Sequence, residues 1–312
     1  MSGALHDAGR RRWLRRAGGL ALGASGAAAA AAAGAWGAVA GPGAAQDAKQ
    51  DAGAPGGPRR VVVIGGALAE IVYALGRADR LVGSDTTCTF PAQALALPKI
   101  GYQRALSAES LLALRPDLVL ASAEAGPATA LDQVRRIGIE IDLFAERHDV
   151  ASVREKIAGV AAALGAQDAG RARLAQFDRG WAQAASAPKP AARRVLFVMD
   201  PAGRQPMIAG QRTAADAMLR YAGFANAIEG VDGYKVMNSE ALVAAQPDVV
   251  LTTDDTLRAA GGAQRLLASA GFSLTPAGRA SRVASLDALF LLGFGPRLPE
   301  AVVALRRAVA AA

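Results

Sequence analysis

The chain has 312 residues, 52% of them hydrophobic and 5% aromatic, enough apolar mass for one large or two medium globular domains. Its formal charge of +8 invites a nucleic-acid reading, but five arginines set against Asp7 within residues 1–45 supply +4 of it. What remains is an ordinary basic surface with no Lys/Arg run interleaved with aromatics, so no nucleic-acid partner is expected.

In chain order, the first feature is RRRWLRR at Arg10–Arg16, followed by a long, weakly hydrophobic Ala/Gly stretch. The combination resembles a twin-arginine export signal, expected over residues 1–45 and implying a periplasmic destination. An N-terminal membrane anchor is the competing reading, but Ala contributes little to insertion compared with Leu or Ile. Ala40 and Ala45 each end a plausible cleavage site. Residues 46–58, rich in Gly, Ala and Pro, read as a flexible tether. The single Cys88 permits no internal disulfide and reads as a small buried apolar residue.

From residue 59 the pattern alternates. RRVVVIGGALAEIVYALG is a buried strand, a glycine turn and a helix; DRLVGSD is a short strand; LSAESLLALRPDLVLAS and ALDQVRRIGIEIDLF are each helix then strand. Units of this size predict α/β architecture with a parallel sheet between helices. Residues 59–149 form a first lobe, and the pattern restarts after Pro190 to give a second over 190–312. Between them, residues 150–189 read as one long helical pattern, bent near Gly165, with Val153, Ile157 and Val160 at helical spacing. The fold expected is two Rossmann-like lobes with central parallel sheets, a long connecting helix and a ligand cleft between the lobes.

The two lobes repeat one phrase. GYQRALSAESLLALRPDLVL begins at Gly101 and GYKVMNSEALVAAQPDVVL at Gly233. Glu109 aligns with Glu240, Pro116 with Pro247, Asp117 with Asp248, and Ser107 with Asn238 as N-cap types. Shared folding signals account for the caps and the Pro-Asp turns. They account less well for the Gly-Tyr-cation openings.

At these residues the chain resembles the periplasmic haem-binding proteins of ABC-type haem importers, within a wider helical-backbone class that also holds cobalamin and siderophore binders. The resemblance covers roughly residues 60–310 and is carried by GALAEIVYALG, LVGSDTTCTFP, GYQRALSAE, GYKVMNSEAL and PDVVLTT. It implies that Tyr102 is an axial ligand to haem iron and that Arg104 either supports the phenolate or meets a propionate. The chemistry is consistent, because phenolate is an anionic oxygen donor suited to ferric iron, and a nearby guanidinium favours the ionised form. Lys235 is a candidate for a propionate or for a solvated rim, Tyr234 for packing or a hydrogen bond, and Arg204 for a ligand contact. Some relatives place a His in the loop holding Arg204; DPAGRQPM has none, which leaves the sixth iron position open or water-filled. Glu109 and Glu240 are assigned to docking on a two-fold symmetric permease, although a helix dipole also favours acids in these first turns. The cargo expected is haem b, carried by a monomer to an inner-membrane permease dimer; cobalamin or a ferric siderophore is the alternative.

Enzymatic readings lack their parts. VVVIGGALAE has no G-x-G-x-x-G spacing, no G-K-[ST] loop occurs, and His148 alone beyond the signal region cannot build a Ser-His-acid set. His148 itself reads as a surface or capping residue. Two histidines are also too few for a zinc or manganese carrier.

Overall fold

The computed structural model describes residues 60–199, 206–236, 238–268 and 271–312. The expected export signal, the tether and Arg204 lie outside the described residues. The first lobe runs β1 (Val61–Ile64), α1 (Gly66–Ala74), β2 (Leu81–Ser84), α2 (Ala108–Ala113), β3 (Leu118–Ser122), α3 (Ala128–Arg136) and β4 (Glu140–Phe144). Its strands pair in the order β2-β1-β3-β4, all parallel. Next come α4 (Val150–Ala163) and α5 (Gln167–Ser186). The second lobe begins β5 (Arg194–Met199), β6 (Met207–Ala209), α6 (Ala214–Ala222), β7 (Ala225–Asn226), β8 (Tyr234–Val236), α7 (Ser239–Ala245) and β9 (Val249–Thr253). It ends with α8 (Asp254–Ala259), α9 (Ala263–Ala268), α10 (Pro276–Arg279), β10 (Val283–Leu286), α11 (Ala288–Leu292) and α12 (Leu298–Ala311). Among the described residues no helix is long and apolar enough to cross a membrane.

The second sheet corrects the expectation of two parallel sheets. Its order is β10-β9-β5-β6-β8, with β7 also on β5. The pairs β10/β9, β9/β5 and β5/β7 are parallel, but β5/β6 and β6/β8 are antiparallel. Only seven residues separate Met199 from Met207. A link that short returns the chain antiparallel, whereas a parallel partner needs a crossover of a dozen or more residues.

The strands explain how the lobes hold together. Side chains alternate across a strand, so each sheet has two apolar faces. Val61 and Val63 of β1, Leu118 and Leu120 of β3, Val195 and Phe197 of β5, and Val249 and Leu251 of β9 all join one cluster with α1, α4, α5, α6 and α12. The alternate residues face outward: Val62, Ile64, Val119 and Ala121 pack under α2 and α3, while Leu196, Val198 and Val250 pack under α7 and α9. The inner faces of both lobes thus share a continuous core, where each fully buried Val or Leu contributes about 1.5–3 kcal/mol.

The single connecting rod is also corrected. The helix breaks at Leu164–Ala166, where Gly165 takes φ 61°, and α5 turns back along α4. Residues equally distant from the break meet: Arg154 reaches Asp178 at 2.7 Å, and a methyl group on Gly170 would stand 2.4 Å from the Ala161 methyl. The left-handed backbone at Gly165 ends the helix as a glycine cap does. α4 stays with the first lobe, where buried Lys156 holds Glu146 at 2.8 Å. α5 belongs to the second, where Arg306 donates to the carbonyls of Ala184, Tyr221 and Ala222 at the ends of α5 and α6.

The Pro-Asp repeat is a matched structural lock. Asp117 accepts the Arg60 N–H at 3.0 Å and returns its own N–H to the Arg60 carbonyl. Asp248 does the same for Arg194, at 2.8 Å. Each arginine side chain then donates to carbonyls at the end of the preceding helix, Arg60 to Leu114 and Arg115, and Arg194 to Ala245.

A further link joins the lobes. Glu70 of α1 accepts two hydrogen bonds from Arg297, whose guanidinium also stacks on Phe90 and Phe290. Burial holds the Glu70 carboxyl above its usual range even against the opposing pull of Arg297. Glu70→Ala leaves Arg297 without its counter-ion at this junction and is expected to cost about 3 kcal/mol in urea unfolding. Glu70→Gln, which keeps an acceptor oxygen, should cost less.

Candidate ligand-binding site

Ligands of open parallel sheets gather beyond the carboxyl ends of the strands. In the first lobe, those ends carry a loop stitched from three directions. Asp85, just past β2, is fully buried and accepts from the Gly65 N–H at 2.8 Å, the Thr87 N–H at 2.9 Å and the Cys88 thiol at 3.0 Å. Burial, with Asp85 beside it, pushes the Cys88 thiol far up, so it is inert. The Lys99 ammonium donates to Ser84 Oγ and to the Cys88 and Ala94 carbonyls, all within 3.0 Å. This framework delivers the backbone to Gly101, whose φ of 103° favours glycine and whose carbonyl accepts from Thr86 N–H.

Tyr102 follows. Its ring is 45% exposed, unusual for a large aromatic held on so ordered a loop. The chain turns at once, with Ala105 N–H on the Tyr102 carbonyl, and Gln103 and Leu106 hydrogen-bond to Gly126 beyond β3. Arg104 Nη1 donates to the Tyr102 hydroxyl oxygen at 3.1 Å, and Nη2 makes an ion pair with Glu124. Partial burial lowers the Arg104 proton affinity, but Glu124 and Tyr102 together outweigh it and raise the pKa above the ordinary value. Glu124 escapes sequence reasoning because it lies twenty residues from Arg104 with no periodic relation to it. The available signal is its place two residues beyond the buried end of β3.

The second lobe supplies Tyr234, at the start of β8. Gly233 before it also has positive φ, 73°, so both Gly-Tyr openings need glycine for the backbone. The two tyrosines then diverge. Tyr234 is partly buried at the N-terminus of α6, beside the Ala215 N–H and the Thr213 side chain. Burial raises its pKa most, and Glu124 adds to the rise; the polar groups of Ala215 and Thr213, with Arg104, pull the other way. Tyr234 therefore lies within electrostatic reach of Arg104 and Glu124 on the other lobe.

The remaining candidates separate. Lys235 is exposed on β8. Glu109 and Glu240 are exposed in the first turns of α2 and α7, whose N-caps Ser107 and Asn238 accept from Ser110 and Ala241 N–H. His148 is no cap: Asp149 is, accepting from Ser152 N–H at 2.6 Å. The imidazole instead packs on Phe294 at 5.3 Å between centroids, with Nδ1 unpartnered, and burial lowers its pKa. Among the described residues no three His, Cys, Asp or Glu side chains group as a metal cluster.

Residues 61–289 match the model of the periplasmic binding protein family. The chain belongs to that family. Members of this family are substrate-binding proteins of transport systems, and the chain is similar in structure to several. The periplasmic heme-binding protein BhuT, in complex with two hemes, is 60% identical, with a TM-score of 0.77 over 82% of this chain and 99% of that one. The periplasmic heme-binding protein RhuT from Roseiflexus sp. RS-1 is 38% identical, with a TM-score of 0.76 over 81% of this chain and 98% of that one. In sequence, the ABC transporter substrate-binding lipoprotein YvrC of Bacillus subtilis is 27% identical over 260 residues, 81% of this chain and 80% of the relative.

The environment of Tyr234 gives a pH expectation. Tyrosinate absorbance of wild type minus Tyr234→Phe should titrate with a midpoint above the ordinary value of 10.0, because burial disfavours the phenolate. A difference curve centred at or below that value would contradict the buried environment.

Proposed function

We propose that this periplasmic binding protein captures haem b between its lobes and delivers it to an ABC permease, without catalysis. The observation that carries the reading is the exposed Tyr102, with Arg104 at 3.1 Å from its hydroxyl. Haem outside the cell is largely ferric, and an anionic oxygen suits that iron. Tyr102 is exposed enough to meet a cargo, and Arg104 donates to its hydroxyl oxygen. The donor set thus fits a ferric porphyrin. It fits poorly with a bare divalent ion, which needs several converging ligands. The likeness to two heme-binding proteins supports the same ligand.

Tyr234 stays a neutral phenol and offers packing or a hydrogen bond to the cargo, while Lys235 and Arg204 offer charge to propionates. Glu109 and Glu240, one on each lobe, dock on the two subunits of a permease dimer in the inner membrane. The carrier acts as a monomer. Its arginine-rich leader, Arg10–Arg16, directs export by the twin-arginine route, and N-terminal sequencing of the exported protein would reveal the cleavage point.

Hemin titration followed by absorbance tests the ligand, with cobalamin as control. Wild type should develop a tyrosinate-to-iron charge-transfer band and bind no cobalamin. Tyr102→Phe should lose the band, and Arg104→Ala should weaken binding roughly tenfold to a hundredfold. Identical spectra for wild type and Tyr102→Phe would remove the ligand assignment. Glu109→Lys with Glu240→Lys should leave the hemin titration intact and abolish uptake into vesicles bearing the permease; unimpaired uptake would remove the docking assignment.

A further inference from the structure

We infer that Glu124 is a positioning residue: it holds Arg104 against Tyr102, so that the arginine serves the phenolate oxygen rather than a propionate of the cargo. The inference rests on the haem reading and deepens it. Arg104 is a long side chain, and 53% of it is exposed. Left alone, it would sample solvent. A guanidinium is a rigid planar fork, so fixing one arm fixes the direction of the other. Here Nη2 is engaged by Glu124 and Nη1 points at the Tyr102 hydroxyl.

Glu124 is itself well placed to be an anchor. Its N–H donates to Oγ of buried Ser122 at 3.2 Å. On either side, Ala123 N–H bonds to the Phe144 carbonyl and Ala125 N–H to that of Ser122. The same turn is tied to the tyrosine loop through Gly126 N–H on Gln103 and Leu106 N–H on Gly126. Anchor and phenol therefore ride on mutually bonded backbone. Both partners of the ion pair are more than a third exposed, so it adds little to stability. What it sets is direction.

When ferric iron binds, the phenol proton leaves to water and the oxygen becomes an anionic ligand. A guanidinium held beside it donates to that oxygen, so its direction bears on how the ligand meets the iron. Without Glu124 the guanidinium is free to leave the oxygen for solvent or for a propionate. Among the described residues, the titratable groups facing the trio are Tyr234 on β8 and His148 before α4, both within electrostatic reach of Glu124.

The test uses the exported protein loaded with hemin and follows the position of the charge-transfer band and the hemin dissociation constant. In Glu124→Ala the band should move and the dissociation constant should rise roughly tenfold. Glu124→Gln, whose amide oxygen still accepts from Arg104, should recover most of the wild-type band position and affinity. Arg104→Ala should change both as Glu124→Ala does, and the double variant should change no further than Arg104→Ala alone. An unchanged band and affinity in Glu124→Ala, or an equal further change on top of Arg104→Ala, would overturn the positioning role while leaving Tyr102 as ligand. If Tyr102→Phe keeps the band, the haem-ligand reading falls first and takes this inference with it.

Discussion

Among the described residues, one shared apolar core holds the two lobes together. Alternate residues of β1, β3, β5 and β9 point inward, and the same helices cover both inner faces. Two lobes joined only by a tether would swing freely. Two lobes that pack into each other's helices cannot separate without exposing fully buried Val, Leu and Phe side chains. Glu70 and Arg297, with Phe90 and Phe290 around the guanidinium, add a polar clasp to that junction. The cleft is consequently close to preformed, which keeps the ordering cost of binding small.

Onto this stiff frame the chain writes the same phrase twice and uses it differently. Both copies need glycine before tyrosine for the backbone, and both use Pro-Asp to tie a helix end to the first strand of its lobe. Only Tyr102 remains exposed, with a guanidinium on its oxygen. Tyr234 turns inward to the start of α6, where burial keeps it protonated. The symmetry of the scaffold therefore supports an asymmetric pair: an exposed tyrosine with a guanidinium on its oxygen in one lobe, and a partly buried tyrosine in the other.

Much of this architecture was legible in the sequence. Runs such as VVVI and the glycine turns announce buried parallel strands, and the restart after Pro190 announces a second lobe. The misses have physical causes. β6 and β8 are three residues each, too short to show a period, so the antiparallel edge was invisible. Alanine-rich helical patterning continues on both sides of Gly165, so the reversal there read only as a bend. At the site, the spacing in GYQR places a cation near a phenol, but Glu124 reaches Arg104 only through folding. The contact between Glu70 and Arg297 spans 227 positions, beyond any local pattern.

The reversal at Gly165 has a consequence for how the protein can be taken apart. The chain passes from one half to the other there once, at an exposed glycine whose missing side chain would meet nothing within 4 Å. On either side, each half already owns a complete sheet, its own Arg/Pro-Asp lock and one arm of the hairpin. A nick at this point would sever no strand and open no hydrogen-bonded ladder. Two polypeptides made separately could then assemble by burying α4 against α5, making the hairpin a natural seam for reconstituting the carrier from fragments.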